Sequence, residues 1–251
     1  MTYFYNFPLN LNIPKVTFKS SYGTSNITSP VLNPWQDKFV TNPIYENFGT
    51  LDEIQACAEK NPRIKELLSE YNLPVKINEK ELQNLQNGHL TETRVTAAKM
   101  YSALSADLKN QVNLVNLQNA AMLHDYGKIL IPDKILNKQG ELTENEREII
   151  ELHPELSYEL LKNKGINQET LDLIKYHHQN PQGNGYPAID NNFQYGLSAQ
   201  IITTADKYSA LTEERSYKPA LPKDKALEIM HKDVEQNLIS QEVYDALAQS
   251  V

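Results

Sequence analysis

A single cysteine, Cys57, occurs in 251 residues, which excludes an intramolecular disulfide framework and any multi-cysteine zinc site. No run of about 18 uncharged apolar residues is present, so no spanning helix is expected. A basic start followed by an apolar core is missing from the N-terminus, so no signal peptide is expected and the protein reads as cytoplasmic. Positive charge is also short: 24 Lys and Arg face 32 Asp and Glu, a net charge of −8. That balance argues against a general nucleic-acid-binding surface, so no nucleic-acid polymer is expected as a partner. It also sets a condition. An anionic ligand would need local positive charge from something other than the average surface. What the chain does have is 40% hydrophobic and 22% charged residues, enough for a sizeable core in one domain, or one domain with an appendage.

The first fifty residues differ from the rest. They hold Pro8, Pro14, Pro30, Pro34 and Pro43, ten of the 21 aromatic residues, and only Lys15, Lys19, Asp37, Lys38 and Glu46 as charges. The prolines forbid a continuous helix, while plain disorder is poor in aromatics. Residues 1–50 therefore read as an irregular arm, either lying against the body or forming an undocked leader, and residues 51–251 as a helical domain. Short helices are expected over Leu51–Lys60, Arg63–Tyr71 and Asn78–Gln86, separated at Asn61-Pro62 and Leu73-Pro74. A longer helix follows over about Leu90–Leu104. Ser105 can cap the next, whose face carries Leu114, Leu117, Ala121 and His124. Thr143 with Glu146 forms a capping-box pattern, and Pro154 opens a new helix just after His153. Gln168–His178, Ser198–Glu214, Lys223–Asn237 and Ser240–Ala248 complete an all-α class with no strand.

Four of six histidines, His124, His153, His177 and His178, fall within 55 residues. Asp125 follows His124, and Asp206 lies in a largely apolar helix. Singly, each has an ordinary structural reading: a hydrogen-bonded pair, a buried carboxylate, a solvated lysine. Together, imidazoles and carboxylates form a donor set for transition-metal ions. Six ligands exceed one tetrahedral zinc and suit two divalent ions sharing a bridging aspartate and a water. Four neutral histidines, two carboxylates and two such ions leave a formal charge of roughly +2, which meets the condition for an anionic ligand. A water held there would have its pKa lowered from ~15.7 toward ~7. Lys128 shares the face of His124 if the helix continues; if Gly127 ends it, a turn must aim the lysine inward. Arg215 and Lys218 could hold a second phosphate. His231, in a charged stretch, stands outside this pattern.

The order of these residues resembles the HD-GYP family of HD-superfamily metal-dependent phosphohydrolases. The resemblance runs from about Asn87 to the C-terminus through His124-Asp125-Tyr126-Gly127-Lys128, Ile131 to Leu136, His153-Pro154, His177-His178, Gly183 to Pro187, Ala205-Asp206 and Arg215 to Lys218. It implies an all-helical HD-type bundle and hydrolysis of cyclic di-GMP with iron or manganese. It implies His124, Asp125, His153, His177, His178 and Asp206 as ligands and Lys128 near the reacting phosphate. Gly185, Tyr186, Arg215 and Lys218 would contact the nucleotide. A nucleotide-sensing or partner-binding module without turnover, and a hydrolase of another phosphoester, are the competing readings.

Three departures from the family pattern, at four positions, stand out. Where a histidine opens the helix before the doublet, this chain has Thr91, with His89 the nearest candidate ligand. Gln179 and Gln182 stand for Glu and Asp, removing two negative charges and a carboxylate that could orient His177 or His178. Tyr126 replaces an aliphatic residue and is expected to alter the pocket wall.

Overall fold

The computed structural model describes residues 49–86, 89–213 and 219–251, less the side chains of Gln86 and His89. The aromatic arm, Arg215, Lys218 and the His89 side chain therefore lie outside the described residues. Thirteen α-helices occur among those described, and no strand; one antiparallel bridge joins His178 to Tyr186. No described helix is long and apolar enough to cross a membrane.

Local signals place most boundaries. Thr50 and Glu53 close a capping box on α1 (Leu51–Lys60), and Asn61 accepts from the Arg63 and Ile64 amides to start α2 (Pro62–Ser69). After α3 (Glu79–Gln86) comes α4 (His89–Ala103), whose buried positions Thr93, Ala97 and Met100 repeat every three to four residues. The single helix expected after Ser105 is two. Ser105 caps only α5 (Ala106–Lys109), and Asn113 starts α6 (Leu114–Leu123) by accepting from the Val115 and Asn116 amides. A second N-cap, worth about 1 kcal/mol, fixes that break.

A 3₁₀ turn over Tyr126–Leu130 and the four-residue α7 (Asp133–Leu136) follow. The Thr143–Glu146 capping box begins α8 (Glu144–Glu151), and Pro154 lies in the first turn of α9 (His153–Leu161). Asn167 caps α10 (Gln168–Lys175), which ends three residues before His178. The last three are α11 (Leu197–Thr212), α12 (Lys223–Glu235) and α13 (Gln241–Ser250), the last capped by Ser240.

The core forms around α4, which packs against α6, α11 and α13; α10 lies on α6 and α9, and α9 lies on the 3₁₀ turn. Leu117, Leu123, Ile129, Leu156, Ile174 and Ile202 are all fully enclosed where these elements meet. Lys207, one residue past Asp206, is held by both oxygens of Asp233 on α12 (2.6 and 2.8 Å), tying α11 down beside the site.

Candidate metal centre

Every candidate histidine with a described side chain in the cluster sits at a helix end. His124 is the C-cap of α6, His153 opens α9, and His177-His178 follow α10. The difference from the expected Gln168–His178 helix matters here. On a continuous helix neighbouring side chains diverge by about 100°. Because the chain leaves α10 at Lys175, the two rings instead converge, with centroids 4.1 Å apart.

Helix ends also supply the hydrogen bonds that set the tautomers. Nδ1 of His124, His153 and His177 lies 2.9, 2.7 and 2.7 Å from the carbonyls of Ala121, Ile150 and Ile174, in each case three residues back. A carbonyl only accepts, so each Nδ1 carries the proton and each Nε2 presents a lone pair. Those lone pairs converge. His153 Nε2 is 3.2 Å from His177 Nε2 and 3.1 Å from Asp125 Oδ1. His124 Nε2 is 3.5 Å from Asp125 Oδ2 and 3.4 Å from Asp206 Oδ1. Two groups of potential ligand atoms result, His153–His177–His178 and His124–His177–Asp206, each within 4.8 Å. The two oxygens of Asp125 face one group each. Electron-rich atoms facing one another in a buried pocket fit a cation in their midst.

Burial keeps this set in the right charge state. Desolvation lowers the pKa of His153, aided by Lys128, and that of His177, aided by the neighbouring imidazoles, to well below its usual value; it takes His178 to about 3. Burial pushes Asp125 the other way, yet the Lys128 ammonium, His124 and His153 outweigh it and hold the carboxyl well below its ordinary range. The pocket thus presents neutral imidazoles and ionised carboxylate at neutral pH.

A prediction follows for metal-free protein. The histidines titrate near 6.5 when unfolded and lower when folded, so on acidification the unfolded chain binds protons first. Stability is full above about pH 6.5 and falls as pH drops below it, by up to ~1.4 kcal/mol per histidine per unit. Asp125 adds the same sign below its ordinary 3.8. Thermal melts of chelated protein from pH 8 to 5 should show a falling midpoint below 6.5; a flat profile would mean the imidazoles are not buried.

Lys128 reaches the site by a turn rather than by helix continuation. The 3₁₀ segment brings its Nζ to 2.6 Å from Asp125 Oδ2. Gly127 makes that turn possible: a Cβ there would sit 2.2 Å from the His153 carbonyl oxygen and 2.5 Å from the Ser157 nitrogen. Ser157 knits the pieces, accepting from the Gly127 amide at 2.7 Å and lying 2.8 Å from the carbonyls of both His124 and His153. Nothing in the sequence marked Ser157 or the three carbonyls; only the three-residue offset before each histidine could have pointed to the latter.

Tyr186 stacks over His178, ring centroids 4.6 Å apart and planes 29° from parallel, and Gly185 packs directly on the His178 carbonyl. Tyr126 does not line this pocket as expected. Its side chain lines a small void behind the turn with Ile54, Cys57, Leu160 and Lys164. The side-chain hydrogen bonds of Gln179 run to Gly185 and Pro187 rather than to His177 or His178; the Ile174 carbonyl orients the His177 ring, and Tyr186 stacks on that of His178. His231 is half exposed beside Tyr244, away from the cluster.

A family model described as HD domain matches residues 65–243. The chain belongs to the HD-domain family. This HD domain is 36% identical over 135 residues to the 3'3'-cGAMP-specific phosphodiesterase 3 of Vibrio cholerae, covering 54% of the chain and 29% of that protein. It is 40% identical over 118 residues to the cyclic di-GMP phosphodiesterase response regulator RpfG of Xanthomonas campestris, covering 46% and 31%. The chain thus spans under a third of the length of these two curated relatives. Among solved structures, Bd1817, an HDGYP-type protein from Bdellovibrio bacteriovorus, superposes with a TM-score of 0.51 at 17% identity. That likeness covers 82% of this chain and 66% of the other, and bears out the all-α, HD-type bundle. The phosphodiesterase relatives support the HD-GYP branch identified from the sequence.

Proposed function

We propose that this HD domain is a metal-dependent phosphodiesterase acting on a cyclic dinucleotide, with cyclic di-GMP the favoured substrate and two iron or manganese ions the favoured cofactor. The observation that carries the reading is the set of convergent Nε2 lone pairs with the two oxygens of Asp125 turned to separate ligand groups. His124, Asp125, His153, His177, His178 and Asp206 would hold the ions, with His177, which falls in both ligand groups, giving its single Nε2 lone pair to one of them. His89 is a further candidate ligand. When bound, the ions supply positive charge to the phosphoryl oxygens and make water a nucleophile at neutral pH.

The chain's own residues do the rest. Nδ1–H bonds to Ala121, Ile150 and Ile174 keep three rings from rotating, so no reorganisation accompanies the reaction. Lys128, beside Asp125 and partly open to solvent, offers an ammonium to charge building on the phosphate. Tyr186 over His178 gives a flat wall beside the reacting centre, and Gly185, having no side chain, lets the loop press close enough on the His178 carbonyl to place it there. Arg215 and Lys218 would hold the second phosphate. Relatives acting on cyclic di-GMP and on 3'3'-cGAMP support the substrate class.

The test is metal analysis of purified protein beside turnover of cyclic di-GMP and 3'3'-cGAMP. Two ions per chain and hydrolysis lost on chelation, then restored by Mn²⁺, is the expected result. Two ions without turnover of either nucleotide would favour a sensing module or another phosphoester; less than one ion would end the catalytic proposal.

A further inference from the structure

We propose that Gln179 is a positioning residue, setting the loop that lays Tyr186 over His178. Gln179 is 1% exposed and its carboxamide spans that loop. Oε1 accepts from the Gly185 amide at 3.1 Å, and Nε2 donates to the Pro187 carbonyl at 2.5 Å. An amide N–H only donates and a carbonyl only accepts, so the two partners fix which end of the carboxamide is which. They also flank Tyr186 on both sides. One side chain therefore holds the residues before and after the aromatic, while the Tyr186 amide bonds the His178 carbonyl at 3.3 Å.

The packing admits little alternative. A Cβ on Gly185 would lie 2.2 Å from the His178 oxygen and 2.7 Å from the Gln179 Cα, so the loop is pressed on the residue that clasps it. Gln182 holds the outer part of the loop, its Nε2 lying 3.4 and 3.1 Å from the carbonyls of Gln236 and Asn237 at the end of α12. Both contacts use neutral amides that donate. A carboxylate at position 179 would keep the acceptor for Gly185 and set a negative oxygen against the Pro187 carbonyl. The glutamine is therefore a working part of this loop, and the loss of charge beside the imidazoles is incidental to it.

The inference rests on the phosphodiesterase reading only for its kinetic arm. Gln179→Met keeps the length and removes both bonds; Gln179→Glu keeps the acceptor alone. Amide hydrogen exchange read by NMR on metal-free protein should show Gly185 exchanging about fivefold faster in the Met variant. Amides inside α10, Leu171 to Lys175, should be unchanged, and the Glu variant should restore Gly185 protection. With Mn²⁺ and bis(p-nitrophenyl) phosphate, KM should rise about fivefold in both variants while kcat stays within about twofold, the pattern of lost ligand placement. Unchanged Gly185 exchange in the Met variant, or acceleration spread equally through α10, would overturn the positioning role. Should the wild type itself leave the probe intact, the kinetic arm passes to cyclic di-GMP, whose turnover decides the phosphodiesterase reading, while the exchange comparison still decides Gln179.

Discussion

Replacing Asp125 with asparagine is expected to lower the proposed phosphodiester hydrolysis by about 10²–10⁴-fold and to reduce the metal content of the purified protein. The magnitude comes from what this carboxylate holds together. It is almost fully enclosed, with one oxygen 3.1 Å from His153 and the other 2.6 Å from Lys128 and 3.5 Å from His124. Asparagine keeps the shape and removes the charge, so the ammonium of Lys128 and any cation in the cluster lose their shared counter-charge. Breaking a buried ionic network by removing one member costs about 3–5 kcal/mol. Applied to a transition state, that span is the stated loss of rate. The fold should persist, because the Lys128 side chain is 20% exposed and can turn its ammonium to water. Metal per chain, turnover and circular dichroism on the same preparation check all three points. A variant with wild-type turnover would remove Asp125 from the mechanism.

How much of this was legible in the sequence divides by the range of the interaction. Contacts closing within four residues were readable: the Thr143–Glu146 box, the Asn61-Pro62 start and the Pro154 restart all stand where the local chemistry puts them. The break at Asn113 was not read because the stripe from Leu114 onward was carried back to the Ser105 cap. Two signals mark it: the asparagine cap, and Leu108 and Val112, which fall on the opposite face from Leu114, Leu117 and Ala121. The 3₁₀ turn and α7 were missed for a related reason: four or five residues are too few for a period to show.

The six candidate ligands with described side chains could be nominated by residue type and order, but not their geometry. Their convergence depends on where helices stop. His177 and His178 point together only because α10 ends at Lys175, and the tautomers depend on carbonyls left over at helix ends. Backbone groups leave no trace in a sequence. Gln179 was visible as a departure from a pattern, yet its partners, Gly185 and Pro187, come from a loop that folds back on it. Reading it as a lost carboxylate looked toward the imidazoles, when its bonds run the other way.

Gly127→Ala carries the largest expected loss of stability. The added methyl would fall 2.2 Å from the His153 carbonyl oxygen and 2.5 Å from the Ser157 nitrogen, both backbone atoms of the first turns of α9. Neither can swing aside as a side chain could, so the 3₁₀ turn and α9 must separate. Overpacking costs about 1–3 kcal/mol, and weakening the Gly127–Ser157 hydrogen bond adds about 1 kcal/mol. A total near 3 kcal/mol lowers the melting midpoint by about 6–12 °C in a domain of this size. Ser157→Ala separates the two terms, since it removes the bond while adding no volume, and should cost about 1–2 kcal/mol. The site suffers beyond the stability loss. The turn carries Asp125 and Lys128 while α9 carries His153, and a misplacement of about 1 Å can cost about 10²-fold in rate. Melting curves with Mn²⁺ titrations well below the midpoint distinguish the effects: weakened metal binding in folded Gly127→Ala, with near-normal binding in Ser157→Ala, is the expected pair. Equal metal affinity in the two variants would show that the close approach of turn and helix serves stability alone.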